Sequence, residues 1–218
     1  MRKTGTVLII LLFVQTVMAA DIGVSPVKIF LEKKRISSVT LHNRSNEPLT
    51  VEVSACRWSQ TGGERCERTD EILFYPVILK IPPQEERTVR VGARVPPGET
   101  ERTYRLYIEE ISKPPQEKGV ILHLPLRVGI PVFIPPQKKK PDSLVTVEKR
   151  KDGPYLTVVN TGNVHLMPVS RIGEREFTFW YVLPGNSASF KLPDVRGKIE
   201  IDLLYGYEPV LKKEFYIE

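Results

Sequence analysis

The residues able to do chemistry in this chain are few and scattered. His42, His123 and His165 stand far apart, with neither HExxH spacing nor clustered carboxylates, so the sequence offers no metal site. Glu109 and Glu110 are adjacent, which on a strand sends them to opposite faces and spoils them as an acid–base pair. No GxSxG elbow, phosphate-binding loop or GxGxxG fingerprint occurs. The expectation is therefore no enzyme, no cofactor, no metal and no small-molecule substrate, with each histidine a surface or strand residue. Asn43-Arg44-Ser45 has the form of a glycosylation triplet, a pattern frequent by chance. The one thiol pair, Cys56 and Cys66, encloses nine residues, a spacing that does not suit CxxC redox or metal chemistry.

What the cysteines do depends on compartment. The chain opens on the cationic Met1-Arg2-Lys3, continues with the apolar run Val7 to Val14, and reaches the small residues Ala19-Ala20. That three-part layout is a secretory signal, expected to span residues 1–20 and to be removed after Ala19 or Ala20. An exported chain enters an oxidising space, where a Cys56–Cys66 disulfide is the default. Gly62-Gly63 lies between them and supplies the positive φ of a hairpin turn, so the bridge would staple two strand arms. Loss of Arg2 and Lys3 lowers the formal charge from +6 to +4. The remaining charges are interleaved, as in Glu32-Lys33-Lys34-Arg35, without the basic stripe and aromatics that nucleic acid requires.

Nineteen prolines and fourteen glycines in 218 residues favour short segments joined by turns over long helices. Strand patterns are predicted over 24–31, 36–41, 49–55, 76–81, 87–94, 102–111 and 119–134. Pro135-Pro136-Gln137-Lys138-Lys139-Lys140-Pro141-Asp142 then breaks the pattern as a stiff, solvated linker over 135–142. Seven further strand patterns follow between Leu144 and Ile217. The fold class is all-β, with a sandwich at 21–134 and a second at 143–218.

The segment that stands apart is Val120 to Ile134. Leu122, Leu124, Leu126, Val128, Ile130 and Val132 form an unbroken apolar series at period two, six side chains along one face. Pro125 and Pro131 lie among the alternate positions and remove amide donors, which predicts an edge strand. A long apolar edge either faces its own core or pairs with another chain, lending backbone hydrogen bonds and alternate side chains.

Five short motifs occur in order: Ser25-Pro26-Val27-Lys28-Ile29; Arg57-Trp58-Ser59-Gln60; Ile81-Pro82-Pro83-Gln84 with Thr88-Val89-Arg90-Val91; Thr103-Tyr104-Arg105-Leu106 with Glu110-Ile111; and Ile130-Pro131-Val132-Phe133-Ile134-Pro135. In that order the chain resembles, over residues 24–135, the PapD-like periplasmic chaperones of the chaperone-usher pilus pathway, and looks most like their archaic branch. The second sandwich matches loosely, through Val159-Asn160-Thr161-Gly162-Asn163 and Leu183-Pro184-Gly185.

The resemblance implies two immunoglobulin-like sandwiches in a boomerang and a periplasmic location. It also implies a mechanism in which the last long strand of the first domain is lent to a pilin subunit through Leu122, Leu124, Leu126 and Val128. An outer-membrane usher then takes the subunit, and the same edge is open to self-association. Family chaperones hold the subunit's C-terminal carboxylate with two cations. Lys28 falls at the first of these positions, while Ile130 stands where better-known members carry lysine, leaving Arg105 and Arg127 as substitutes. The alternative is a secreted two-domain structural or adhesive protein without chaperone activity.

Overall fold

The computed structural model describes residues 21–32, 34–111, 125–194 and 196–217. The expected signal at 1–20, His123 and two of the expected donor residues, Leu122 and Leu124, lie outside them. Ten strands build the first half: β1 (Ile22–Ser25), β2 (Ile29–Phe30), β3 (Ile36–Asn43), β4 (Leu49–Ser59), β5 (Arg65–Arg68), β6 (Ile72–Tyr75), β7 (Ile78–Ile81), β8 (Glu86–Ala93), β9 (Arg102–Glu110) and β10 (Arg127–Ile134). They form one sheet in the order β1-β3-β8-β6 and a second in the order β2-β10-β9-β4-β5, with β7 also on β4.

Period-two alternation on β3, β4, β8, β9 and β10 fills the space between these sheets. Val39, Leu41, Val89 and Val91 of the first sheet share one buried cluster with Val51, Val53, Leu106, Ile108, Ile130 and Val132 of the second. The predicted segment 24–31 splits. Its start, β1, pairs with β3, while β2 crosses to the other sheet and pairs in parallel with β10. Two strands escape the sequence pattern. β5 is exposed at all four positions and carries no apolar alternation, and β6 is a short continuous run that periodicity cannot classify. β5 is the return arm of the cysteine hairpin: Ser59 faces Arg65 in register, Gly62 and Gly63 take positive φ, and Cys56 is bonded to Cys66. Closing so short a loop is worth about 2–3 kcal/mol.

The second half has seven strands: β11 (Ser143–Arg150), β12 (Gly153–Asn160), β13 (Met167–Ile172), β14 (Arg175–Thr178), β15 (Ser187–Lys191), β16 (Gly197–Tyr205) and β17 (Glu208–Ile217). They make sheets β11-β12-β15 and β14-β13-β16-β17, enclosing Leu156, Val158, Leu166, Val182, Ile199, Ile201 and Leu203. Among the described residues there is no helix, and no strand pairing joins the two halves. The fold is all-β, two sandwiches in succession.

Each sandwich repeats one polar device. Asn43 ends β3 fully buried; its Nδ2 donates to the carbonyls of Glu47 at 2.7 Å and Ile81 at 3.0 Å, and its Oδ1 accepts from Ser45 N at 3.0 Å. Asn160 ends β12 in the same way. Its Nδ2 donates to Val164 and Val182 carbonyls, both at 2.8 Å, and its Oδ1 accepts from Gly162 N at 3.0 Å. A buried carboxamide whose partners are backbone groups, joined at Asn43 by the Ser45 hydroxyl at 2.7 Å, fixes a turn that the chain has no regular ladder to hold. The Asn43-Arg44-Ser45 triplet thus serves a turn, with its amide nitrogen engaged inside the protein.

Candidate functional site

β10 is paired with β9 along its full length, from Arg127 opposite Glu109 to Ile134 opposite Arg102. On its other side only Val132 and Phe133 have a strand neighbour, Ile29 and Phe30 of β2, reinforced by Leu31 N donating to Phe133 O at 2.8 Å. Among the described residues, Arg127 to Pro131 therefore present one unpaired side. Parity fixes which backbone groups face it. Phe133 O points towards β2, so residues 131, 129 and 127 point the same way, while Leu126 O faces β9 and accepts from Glu110 N at 2.8 Å. Pro131 thus withholds its missing N–H from the open side, where no ladder bond is lost. The edge expected from the prolines is present, and β2 covers only its last residues.

The side chains grade along the same strand. Ile130, Val132 and Ile134 lie in the first sandwich's core, Val128 packs partly against it, and Leu126 is half-buried just before the strand. On the opposite face Gly129 gives room to Tyr107, whose ring would stand 3.0 Å from an added Cβ. Arg127 stacks on that ring at 4.1 Å and pairs with Glu109.

The three expected anchor cations have separate partners. Lys28, buried to 7% exposure, donates from Nζ to Gly206 O at 2.6 Å and lies 3.5 Å from the centre of the Tyr207 ring. Burial lowers its pKa. Arg105 lies 4.3 Å from the Trp58 ring and pairs with Glu64. Register places Lys28 and Arg105 at one level: Ile29 is opposite Val132, and Arg105 is opposite Pro131. They flank Pro131 two strand spacings apart, about 10 Å. Arg127 is four residues further along β10, about 13 Å away. Ile130 points into the core at 1% exposure, so a cation at that position would have no outlet to the surface.

Sequence reasoning missed the joint between the sandwiches. Phe133, Trp58 and Phe30 of the first half pack with Leu183 and Tyr181 of the second. Gln60 locks the contact, donating to Tyr181 O at 2.8 Å and accepting from Leu183 N at 2.9 Å. His165, expected on a surface or strand, is instead fully buried here. It is stacked 3.9 Å from Phe133, and its Nδ1 is 2.7 Å from Glu101 Oε2. A polar residue between the apolar Val164 and Leu166 was the only available signal, since its partner lies 64 positions earlier. The linker is held at the same joint. Asn163 Nδ2 donates to Glu99 O and Lys138 O, and Gly162 admits the backbone of Lys140 to Asp142 so closely that a Cβ would meet it at 2.5 Å.

Solved structures share this architecture. A chain of the CsuC–CsuE chaperone–tip subunit pre-assembly complex, from the archaic chaperone-usher Csu pili of Acinetobacter baumannii, is 21% identical. It aligns over 89% of this chain and 98% of its own, with a TM-score of 0.66. A chain of the Salmonella enterica SafA pilin–SafB chaperone complex is 13% identical over 93% of this chain and 99% of its own, also at 0.66. The E. coli chaperone DraB is 16% identical over 91% and 98%, at 0.61. No match is found among curated proteins. Residues 22–140 match the family of pili and flagellar-assembly chaperones at its PapD N-terminal domain, and with more than half its length so matched the chain belongs to that family.

Proposed function

We propose that this protein is a periplasmic chaperone without enzymatic activity that binds pilin subunits by lending them the open edge of β10 and passes them to an outer-membrane usher. The observation that carries the reading is the one-sided pairing of Arg127 to Pro131 among the described residues, together with the apolar series that runs back in the sequence from Val128 through Leu126 to Leu124 and Leu122. A subunit lacking a strand would complete its own sheet on the unpaired backbone and take alternate side chains into its core. Each Leu or Val so buried contributes about 1.5–3 kcal/mol when it starts fully exposed. Lys28 and Arg105, level with each other at Pro131, form the cation pair for the subunit's C-terminal carboxylate, with Arg127 outside it. The signal-like residues 1–20 and the Cys56–Cys66 disulfide support an oxidising compartment.

Co-expression with a pilin subunit tests this. The native chaperone is expected to yield a soluble complex, and Leu124→Asp or Leu126→Asp to abolish it. Folded variants that still capture the subunit at native yield would sink the donor-strand reading.

A further inference from the structure

The anchor cation is not open to solvent. Lys28 reaches out of the first sandwich, yet the carbonyl and the ring that meet its ammonium both belong to the β16–β17 turn of the second. Tyr205 faces Glu208 across that turn, with Gly206 and Tyr207 as its two central residues. Gly206 has φ +65° and Tyr207 is not in the left-handed region, the pattern of a type II′ hairpin turn. An added Cβ on Gly206 would touch Phe30 Cζ at 3.5 Å, so the turn rests on the residue after Ile29 in the same segment that carries Lys28. The turn therefore meets the Lys28 segment twice, once through Phe30 and once through the ammonium.

The two contacts to the ammonium differ in kind. The Gly206 carbonyl is backbone in a strained-for-others turn and takes one N–H at 2.6 Å. The Tyr207 ring is a side chain that is itself 68% exposed, lying 3.5 Å from Nζ while Lys28 is almost fully covered. An ammonium has three donors, so it can donate to a carboxylate without losing the carbonyl, and the Tyr207 ring lies across one of the two directions that remain.

We infer that Tyr207 is a removable cover on the Lys28 carboxylate site: the Gly206 carbonyl keeps the ammonium aimed, and an incoming carboxylate reaches it by displacing the ring. This rests on the reading of Lys28 as a carboxylate anchor. It assigns the second sandwich a part in binding, because the competitor for the cation is supplied by that sandwich.

The test reads Lys28 directly, by mass spectrometry of its acetylation with limiting acetic anhydride at fixed pH. Tyr207→Leu removes the ring face and Tyr207→Phe retains it; both change an exposed position, and matched thermal melts establish that the fold is intact. Lys28 is expected to label several-fold faster in Tyr207→Leu than in the native protein, and at the native rate in Tyr207→Phe. Sodium acetate, as the carboxylate probe, replaces chloride at constant ionic strength. It is expected to protect Lys28 at several-fold lower concentration in Tyr207→Leu than in the native protein. Equal labelling of the native protein and Tyr207→Leu would show that the ring covers nothing. Faster labelling without any acetate protection would instead overturn Lys28 as a carboxylate site, and the two failures are read from separate columns of the same experiment.

Discussion

The two ends of β10 share one strand and one alternation, yet they live in different environments. At Val132 and Phe133 the strand has β9 on one side and β2 on the other, and the side chains of Val132 and Ile134 are in the core. From Arg127 to Pro131 it has, among the described residues, β9 alone, and the apolar face thins from Ile130 through half-buried Val128 to Leu126. The same sequence signal therefore serves stability at one end and is left over at the other. What separates the ends is β2, a two-residue strand that reaches β10 only after the chain has left β1 and the opposite sheet.

The sharpest way to break this contrast is to place a carboxylate at each end. Val132→Asp buries a charge at a position with no exposure and no cation beside it in register, and is expected to remove more than about 4 kcal/mol, leaving the first sandwich unfolded. Leu126→Asp is expected to change the stability of the free protein by less than about 1 kcal/mol while eliminating capture of a pilin subunit. Denaturant melts of both variants, with subunit co-purification of the second, check the pair. A Leu126→Asp variant as unstable as Val132→Asp would mean that the whole face is core and nothing is left to lend. Truncation gives a smaller version of the same comparison. Ile130→Ala should lower stability by about 2–5 kcal/mol, and Val128→Ala, from a half-buried site, by about 1 kcal/mol. Equal losses would erase the gradient.

How much of this was legible beforehand follows from the range of the signals. The apolar alternation and the two prolines are local, and they marked the edge correctly, because parity and missing donors act within a strand. The split of the apolar face into a fixed and a free end was not legible, since it depends on β2, about a hundred residues away in sequence. The same distance hid the joint. Phe133 reads as one more apolar residue of the series' opposite face, and only the fold brings His165, Trp58 and Tyr181 to it. Lys28 stands out in the sequence through its motif, but its contact with Gly206 and Tyr207 involves a turn 178 positions later. β5 carried no pattern at all, and only the cysteine spacing announced it.

The smallest expected effect concerns what backs the fixed end from the far side of β9. Tyr104 faces Val132 in register, and its hydroxyl donates to Glu71 Oε2 at 2.7 Å, while Arg57 donates to both Glu71 oxygens at 2.5 and 2.6 Å. Burial works against ionising Glu71, but the Tyr104 hydrogen bond, then those and the charge of Arg57, outweigh it and hold the carboxyl below its ordinary range. A carboxyl whose pKa is lower folded than unfolded binds fewer protons in the native state between the two values. Its contribution is therefore present above the unfolded value of about 4.3 and is lost as pH falls through the folded one. Tyr104 runs the other way. Burial first, then the bond to Glu71, push it up to about 12, so the neutral phenol stabilises the fold up to about 10 and the contribution fades as pH rises towards 12. Denaturant melts across pH should show Glu71→Gln less stable than the native protein at pH 7, with the gap closing on the acid side. A gap that stays constant down to pH 2 would mean that the charge on Glu71 contributes nothing, and that the fixed end of β10 is held by apolar packing and β2 alone.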